Sequence, residues 1–86
     1  MSLELLSAQR TDKGVSVTFG TDRGVEQLVG SAEEIVSLAR SMQQVAALGQ
    51  LNEHESVWVD AVPVGDAMVK LGLRPGGQTR LLIIRH

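Results

Sequence analysis

The densest group of side chains able to do acid–base chemistry lies at positions 52–56, Asn-Glu-His-Glu-Ser. A histidine between carboxylates can have a raised pKa and act as an acid, a base or a metal ligand, and His54 with Glu53 and Glu55 fits this description. Adjacent residues of an extended loop point in different directions, however, so three neighbours seldom converge on one ligand. We interpret the segment as a solvated loop, and an enzyme using His54 with these carboxylates is the third functional hypothesis.

The other candidates for catalysis are better explained by structure. Asp60 lies within a predicted strand and Asp66 in a predicted turn, so we do not expect them to act as a carboxylate pair. No serine stands in a Gly-x-Ser-x-Gly motif, and Gly76-Gly77 is typical of a hairpin rather than a phosphate-binding loop. The chain has no cysteine, which excludes thiol catalysis and cysteine-ligated metals. The sequence therefore predicts no catalytic residue, no metal site and no cofactor.

Charge is unevenly distributed in the second half of the chain. Residues 52–66 carry four acidic residues and no lysine or arginine. Residues 67–86 carry no acid and four basic residues, namely Lys70, Arg74, Arg80 and Arg85. Pairing of these charges between neighbouring strands is the favoured interpretation. A basic hairpin that contacts nucleic acid is the second functional hypothesis, although the net charge of −2 is unusual for a nucleic-acid-binding domain.

One segment, 31–49, has a helical period. Ser31 and Glu34 can form a capping box, in which each side chain accepts a hydrogen bond from the other residue's backbone N–H. Gly49 can adopt the left-handed conformation that ends a helix. Between these limits the apolar residues recur at steps of three and four, at Ile35, Leu38, Ala39, Met42, Val45, Ala46 and Leu48. We expect a helix over Ser31–Leu48 with this apolar face on a sheet, and polar residues such as Ser41 on the opposite side.

Three short strands are predicted before the helix. Val15, Val17 and Phe19 alternate with polar residues, which is typical of a half-buried strand. Looser alternation at 3–10 and a short segment at 25–29 predict its two neighbours, and the intervening turns contain Asp and Gly, which favour turn geometry. The first third of the chain should therefore form an antiparallel meander.

A second meander is predicted after the helix. Residues 57–64 have a strong strand pattern, and Pro63 indicates an edge position because proline cannot donate a ladder hydrogen bond. Residues 66–72 are compatible with a strand or a short helix, and we favour the strand. A type II turn with Gly76 at its positive-φ position leads into a last strand at 78–85.

The last strand suggests an interface, because Leu81–Ile84 is apolar on both of its faces. A strand of this kind must be covered on both sides, and one helix covers only one face of a sheet. The other face then needs a curled sheet, a second short helix or another copy of the chain. We favour the last of these, which makes Leu82 and Ile84 interaction residues and predicts a homodimer.

Trp58 is the other predicted interaction residue. It is the only tryptophan of an otherwise aliphatic chain, and such a residue is either a core anchor or part of an interface. Strand alternation predicts that it shares a face with Asp60, Val62 and Val64, whose mixed polarity suits a partly exposed rim.

Together these patterns predict a single α+β domain over residues 1–86. Its architecture should be an antiparallel sheet of about six short strands, in the order βββ-α-βββ, with one long helix packed on one face. No apolar segment approaches the ~20 residues of a membrane-spanning helix, and the first residues do not form a secretory signal, so we expect a cytoplasmic protein. The leading functional hypothesis is a small non-catalytic protein–protein interaction module that self-associates.

Overall fold

In the part of the chain that the structure describes, six strands flank one helix in the predicted order. The computed structural model describes residues 4–21, 23–51, 56–76 and 78–85. The elements are β1 (Glu4–Thr11), β2 (Gly14–Thr21), β3 (Gly24–Gly30), α1 (Ala32–Gly49), β4 (Val57–Val64), β5 (Ala67–Leu73) and β6 (Thr79–Arg85). The predicted α+β class, the βββ-α-βββ order and the packing of one helix on a sheet face are confirmed.

The strands divide into two three-stranded sheets, which the sequence did not predict. The first has the order β1-β2-β3 and the second β4-β5-β6, and each neighbouring pair is an antiparallel hairpin. The segment at 66–72 is part of the strand β5, as favoured above, and Pro63 lies on the edge strand β4. Gly65 and Gly76 take positive φ values of 60° and 90° in the two turns of the second sheet.

The helix begins as predicted and ends differently. The Ser31 hydroxyl accepts a hydrogen bond from the Glu34 N–H at 3.1 Å, and Glu34 Oε1 accepts one from the Ser31 N–H at 2.9 Å. The prediction that Gly49 leaves the helix in a left-handed conformation is wrong. Gly49 is the last helical residue and is buried, and the chain leaves through Gln50 at φ −69° with its N–H bonded to Ala47 O. A final turn of this kind needs no positive φ.

The buried stripe of α1 is narrower than the predicted apolar face. It consists of Leu38, Ser41, Val45 and Gly49. Ala39, Ala46 and Leu48 are exposed, whereas Ser41, assigned above to the polar side, is buried. The reason is the position of the helix, which packs chiefly against β4 and β5 and has few contacts with the first sheet. Part of its apolar surface therefore has no cover from the described chain.

The core is common to both sheets and the helix. The first sheet contributes Val17, Phe19 and Leu28, and α1 contributes Leu38 and Val45. The second sheet supplies the largest share, with Val62, Val64, Ala67, Val69, Leu71 and Leu73. Three side chains of its central strand β5 are at most 2% exposed, at Val69, Leu71 and Leu73. The second sheet and the helix therefore form most of the scaffold that positions the surfaces described below.

The two sheets meet where β3 ends and β4 turns into β5. Glu34 Oε1 accepts a second hydrogen bond from the Gly65 N–H at 3.2 Å, so one carboxylate joins the start of α1 to the β4–β5 turn. A Cβ on Gly65 would overlap the Val29 carbonyl oxygen. The two sheets are also joined between β6 and β3, where Arg85 Nη2 donates a hydrogen bond to Gln27 O at 2.6 Å.

No helix in the described part of the chain combines the length and apolarity needed to cross a bilayer.

Candidate protein-interaction surface

The outer face of the second sheet is the side of β4–β6 that points away from the core. Directly opposed residues of an antiparallel pair project to the same face, so the register assigns nine residues to this face in three rows. The rows are Trp58–Gly72–Arg80, Ala61–Lys70–Leu82 and Pro63–Met68–Ile84. The intervening rows, which include Val62, Val69 and Ile83, point into the core.

A β-bulge in β4 changes the predicted partners of Trp58. The register shifts between Trp58 and Asp60, so that Trp58 lies opposite Gly72 while Asp60 lies opposite Leu71. An extra residue at a bulge interrupts the alternation of side chains. The prediction that Trp58 shares its face with Asp60, Val62 and Val64 is therefore wrong. Trp58 shares the outer face with Ala61 instead, and the face is more apolar than predicted.

Trp58 and Arg80 form a stacked pair across Gly72. The Arg80 guanidinium carbon lies 3.9 Å from the centroid of the Trp58 ring, and Arg80 Nη1 also donates a hydrogen bond to Ser56 Oγ. Gly72 makes this possible, because a Cβ there would be 2.7 Å from the Trp58 ring and 3.0 Å from Arg80 Cγ. The indole therefore lies flat on the sheet and remains 38% exposed.

The three predicted interaction residues lie on one face. Trp58 occupies β4, and Leu82 and Ile84 occupy alternate positions of β6 on the same side. Leu81 and Ile83 point the other way and pack against the core. Ile84 is 39% exposed, and Leu82 is half-buried. The sequence did not identify Ala61, Pro63 and Met68 as members of this face, because only the register of β4 on β5 shows that they belong to it.

The four basic residues are not brought together. Lys70 lies on the outer face between Ala61 and Leu82, and Arg80 lies on the same face. Arg85 projects to the core side and binds Gln27 O, while the Arg74 N–H closes the β5–β6 connection by donating to Gln78 O at 2.8 Å. The predicted pairing of charges between strands is wrong for Lys70 and Arg80, since neither has an acidic residue directly opposite.

A second apolar surface lies between the first sheet and the helix. It is a groove of about 280 Å³, with Leu5 and Ala8 of β1 on one side and Ile35, Ala39 and Met42 of α1 on the other. Val17 and Phe19 form its floor together with Leu38. All eight residues of β1 are exposed. The groove is therefore bounded on one side by a strand that the described chain leaves uncovered.

The residues considered for catalysis have ordinary structural positions where they are described. The Asp60 carboxylate accepts a hydrogen bond from the Ala61 N–H at 2.9 Å, and Asp66 lies in the β4–β5 turn. His54, Glu53 and Glu55 lie outside the described residues. Among the residues that are described, no group of three or more histidine, aspartate or glutamate side chains is placed to hold a metal ion.

The one described carboxyl whose pKa is shifted has a structural role. Hydrogen bonds from the Ser31 and Gly65 backbone N–H groups stabilise the ionised form of Glu34 and hold its pKa below the usual value. A carboxylate at the first turn of a helix is also favoured by the helix dipole. Glu34 joins the start of α1 to the β4–β5 turn.

Comparisons with protein-family models, with curated proteins and with solved structures give no match to this chain.

Proposed function

We propose that this chain is a small non-catalytic protein–protein interaction module that self-associates, and that the outer face of the second sheet is where it docks a protein partner. The observation that carries the proposal is the register of β4 on β5 and β6, which brings Trp58, Leu82 and Ile84 to one uncovered face. Interfaces concentrate their binding energy in partly buried aromatic and arginine side chains surrounded by apolar contacts. The Trp58–Arg80 pair has this composition.

The charge of the face favours a partner different from the chain itself. Lys70 and Arg80 are the only charged residues among its nine positions, although the whole chain has a net charge of −2. Stacking the outer faces of two copies would bring cations together in an apolar setting, where like charges repel strongly. A partner surface with apolar side chains and one or two carboxylates matches both the apolar rows and the cations. We therefore propose an acidic, partly apolar protein surface as the partner of this face.

Affinity capture with matched variants tests the docking face. The tagged protein, an Ile84→Asp variant and a Val25→Asp variant are used as baits in an extract of the source organism. Ile84 belongs to the outer face, whereas Val25 is 69% exposed on the first sheet and is the control for adding an exposed aspartate. We expect at least one protein to be retained by the wild type and by Val25→Asp, and its retention to fall about tenfold or more with Ile84→Asp, the effect of losing one well-packed contact.

The captured protein is then purified and titrated against the wild type while Trp58 fluorescence is recorded. Trp58 is the only tryptophan of the chain, so burial of the face should shift its emission to shorter wavelength. Retention that is equal for all three baits would contradict the proposal, as would binding that leaves the Trp58 emission unchanged.

Nucleic-acid binding remains a second candidate because Trp58, Arg80 and Lys70 lie on one sheet face. Exposed aromatic residues beside cations are typical of surfaces that stack single-stranded bases. On this hypothesis a thymidine oligonucleotide quenches Trp58 fluorescence at low salt, and the affinity falls steeply as salt is added. Arg85 does not contribute, since its guanidinium bonds Gln27 O on the other side of the sheet. Unchanged fluorescence at low salt would exclude this candidate.

A further inference from the structure

We infer that two copies of this chain associate through β1, with the β1–α1 groove closed by the second copy. This inference specifies the self-association included in the proposed function and leaves the outer face of the second sheet free for a different partner. It depends on four observations, which concern the exposure of β1, the protected edge of β4, the surface area of the molecule and the charges at the two ends of β1.

β1 has the exposure of a strand that lacks a neighbour. It is an edge strand of the first sheet, and none of its eight residues is buried or half-buried. Leu5 is 60% exposed and Leu6 49% exposed. Leu5 also borders the groove, opposite Met42 and Ala39 of the helix. An uncovered apolar groove next to an open strand edge is a surface where another chain can add a strand and bury apolar side chains together.

One edge strand of the second sheet, β4, is protected against such pairing. It contains Pro63, which cannot donate a ladder hydrogen bond, and the bulge between Trp58 and Asp60. Both features discourage a further strand from pairing. β1 has a bulge between Leu5 and Ser7, but its sequence contains neither proline nor lysine. Of these two edges, β1 is therefore the one suited to pairing.

The accessible surface area of the chain is larger than that of a compact monomer. The accessible surface is 5607 Å², whereas a compact monomer of this mass has about 4,900 Å². The excess of about 700 Å² is close to the ~800 Å² that each partner contributes to an interface of standard size. The Cα radius of gyration, 12.7 Å, also exceeds the ~12 Å of a compact domain of this length.

The charges of β1 are complementary to those of a second copy. The strand has one acid, Glu4, at its start and one base, Arg10, near its end. Antiparallel pairing about a two-fold axis near Ser7 places the Glu4 end of each strand beside the Arg10 end of the other. Opposite charges on neighbouring strands stabilise a pair, and parallel pairing would bring like charges together. The charges therefore favour the antiparallel, two-fold arrangement, in which both copies use the same surface.

Sedimentation equilibrium over a wide concentration range tests the interface with three variants. Leu5→Asp changes the β1 surface, Ile84→Asp changes the outer face, and Val25→Asp is the exposed control on the first sheet. We expect the wild type, Ile84→Asp and Val25→Asp to dimerise with similar dissociation constants. Leu5→Asp should weaken the dimer about tenfold or more, because it places an aspartate in the apolar contact, and circular dichroism checks that each variant is folded.

Disulfide trapping tests the same interface without a substitution that weakens the dimer. The chain has no cysteine, so Ser7→Cys introduces one thiol near the proposed two-fold axis, and Ser37→Cys introduces one on the exposed side of α1 as a control. Mild oxidation should convert Ser7→Cys to a covalent dimer much faster than Ser37→Cys.

The outcomes separate this inference from the proposed docking face. A wild-type protein that stays monomeric at the highest concentration overturns the inference, and so does equal trapping of the two cysteine variants. A dimer that Ile84→Asp abolishes and Leu5→Asp leaves intact also overturns it, although self-association itself is then upheld. The capture experiment with Ile84→Asp reports on the docking face whichever of these results is obtained.

Discussion

At the scale of single residues, Glu34 joins the start of α1 to the β4–β5 turn. Its Oε1 atom accepts hydrogen bonds from the backbone N–H groups of Ser31 and Gly65. The sequence predicts the first of these, because the two residues have capping-box spacing. It does not predict the second, since Gly65 is 31 residues away and meets Glu34 only when the second sheet has packed on the helix.

The lowered pKa of Glu34 makes its contribution to stability depend on pH. Its ionised form is favoured in the folded state by the Ser31 and Gly65 N–H groups, so the contribution is complete above the unfolded pKa and is lost as pH falls through the folded pKa. Glu34→Gln retains an acceptor oxygen but cannot ionise. We expect urea denaturation to show a larger stability difference between wild type and Glu34→Gln at pH 7 than at pH 3.

Glu33→Gln provides the control for this measurement, because it removes an exposed carboxylate from the same helical turn without affecting the contact with Gly65. A stability difference for Glu34→Gln that is equal at both pH values would show that the hydrogen-bonded carboxylate does not contribute through its charge.

The bulge at Trp58–Asp60 marks the limit of residue-level prediction. Strict alternation along 57–64 assigns Trp58 and Asp60 to the same face, but the bulge between them places these two residues on opposite faces. Nothing in that segment signals the extra residue, since no glycine lies within it. The importance of Trp58 was therefore predicted, but its partners Arg80 and Gly72 were not. They depend on register, which is set by the pairing of β4 with β5.

At the scale of elements, the second sheet has one side in the core and the other side uncovered by the described chain. Leu71 has no exposure and packs in the core, whereas Leu82 on the neighbouring strand β6 points to the outer face. Leu71→Ala should destabilise the protein by about 2–5 kcal/mol, the usual cost of a buried Leu→Ala change. Leu82→Ala should cost about 1 kcal/mol, because the side chain is only half-buried.

Urea denaturation of the two variants under the same conditions gives the comparison. Equal losses of stability would mean that the outer face is part of a closed core in solution, and the docking proposal would then have no free surface to use.

The elements themselves were largely predictable from local sequence. Turn residues, a capping box and period-two alternation are all short-range signals, and they identified six strands and one helix in the correct order. The last turn of α1 and its buried stripe were not predictable in this way. Gly49 and Ser41 are buried because of where the helix lies on β4 and β5, which an amphipathic pattern does not show.

At the scale of the whole molecule, two sheets share one core. Val17 and Phe19 of the first sheet belong to the same buried cluster as Val69 and Leu71 of the second. The division into two sheets could not be predicted, because both a single sheet and two sheets satisfy the same strand patterns. A shared core implies that neither sheet is stable without the other, so unfolding should be a single cooperative transition.

Two tryptophan reporters test this cooperativity. Trp58 reports on the second sheet in the wild type, and a Phe19→Trp, Trp58→Phe variant reports on the first. Within each protein, fluorescence and far-ultraviolet circular dichroism should give the same urea midpoint. A fluorescence midpoint that differs from the circular dichroism midpoint in either protein would show that the sheets unfold separately.

The hairpin connectivity has a consequence for how fast the chain folds. Every strand pair in the described part of the chain joins consecutive strands, and none crosses the helix. Loop closure is therefore inexpensive for both ladders, and β-proteins with such local pairing fold faster than those built from distant strands. During synthesis the first three strands leave the ribosome before the last three, and until the second sheet is complete their apolar side chains have no partner. The slow event should be the docking of the two halves through the helix, and a chain delayed at that point presents β1 and its apolar neighbours to any other nascent copy.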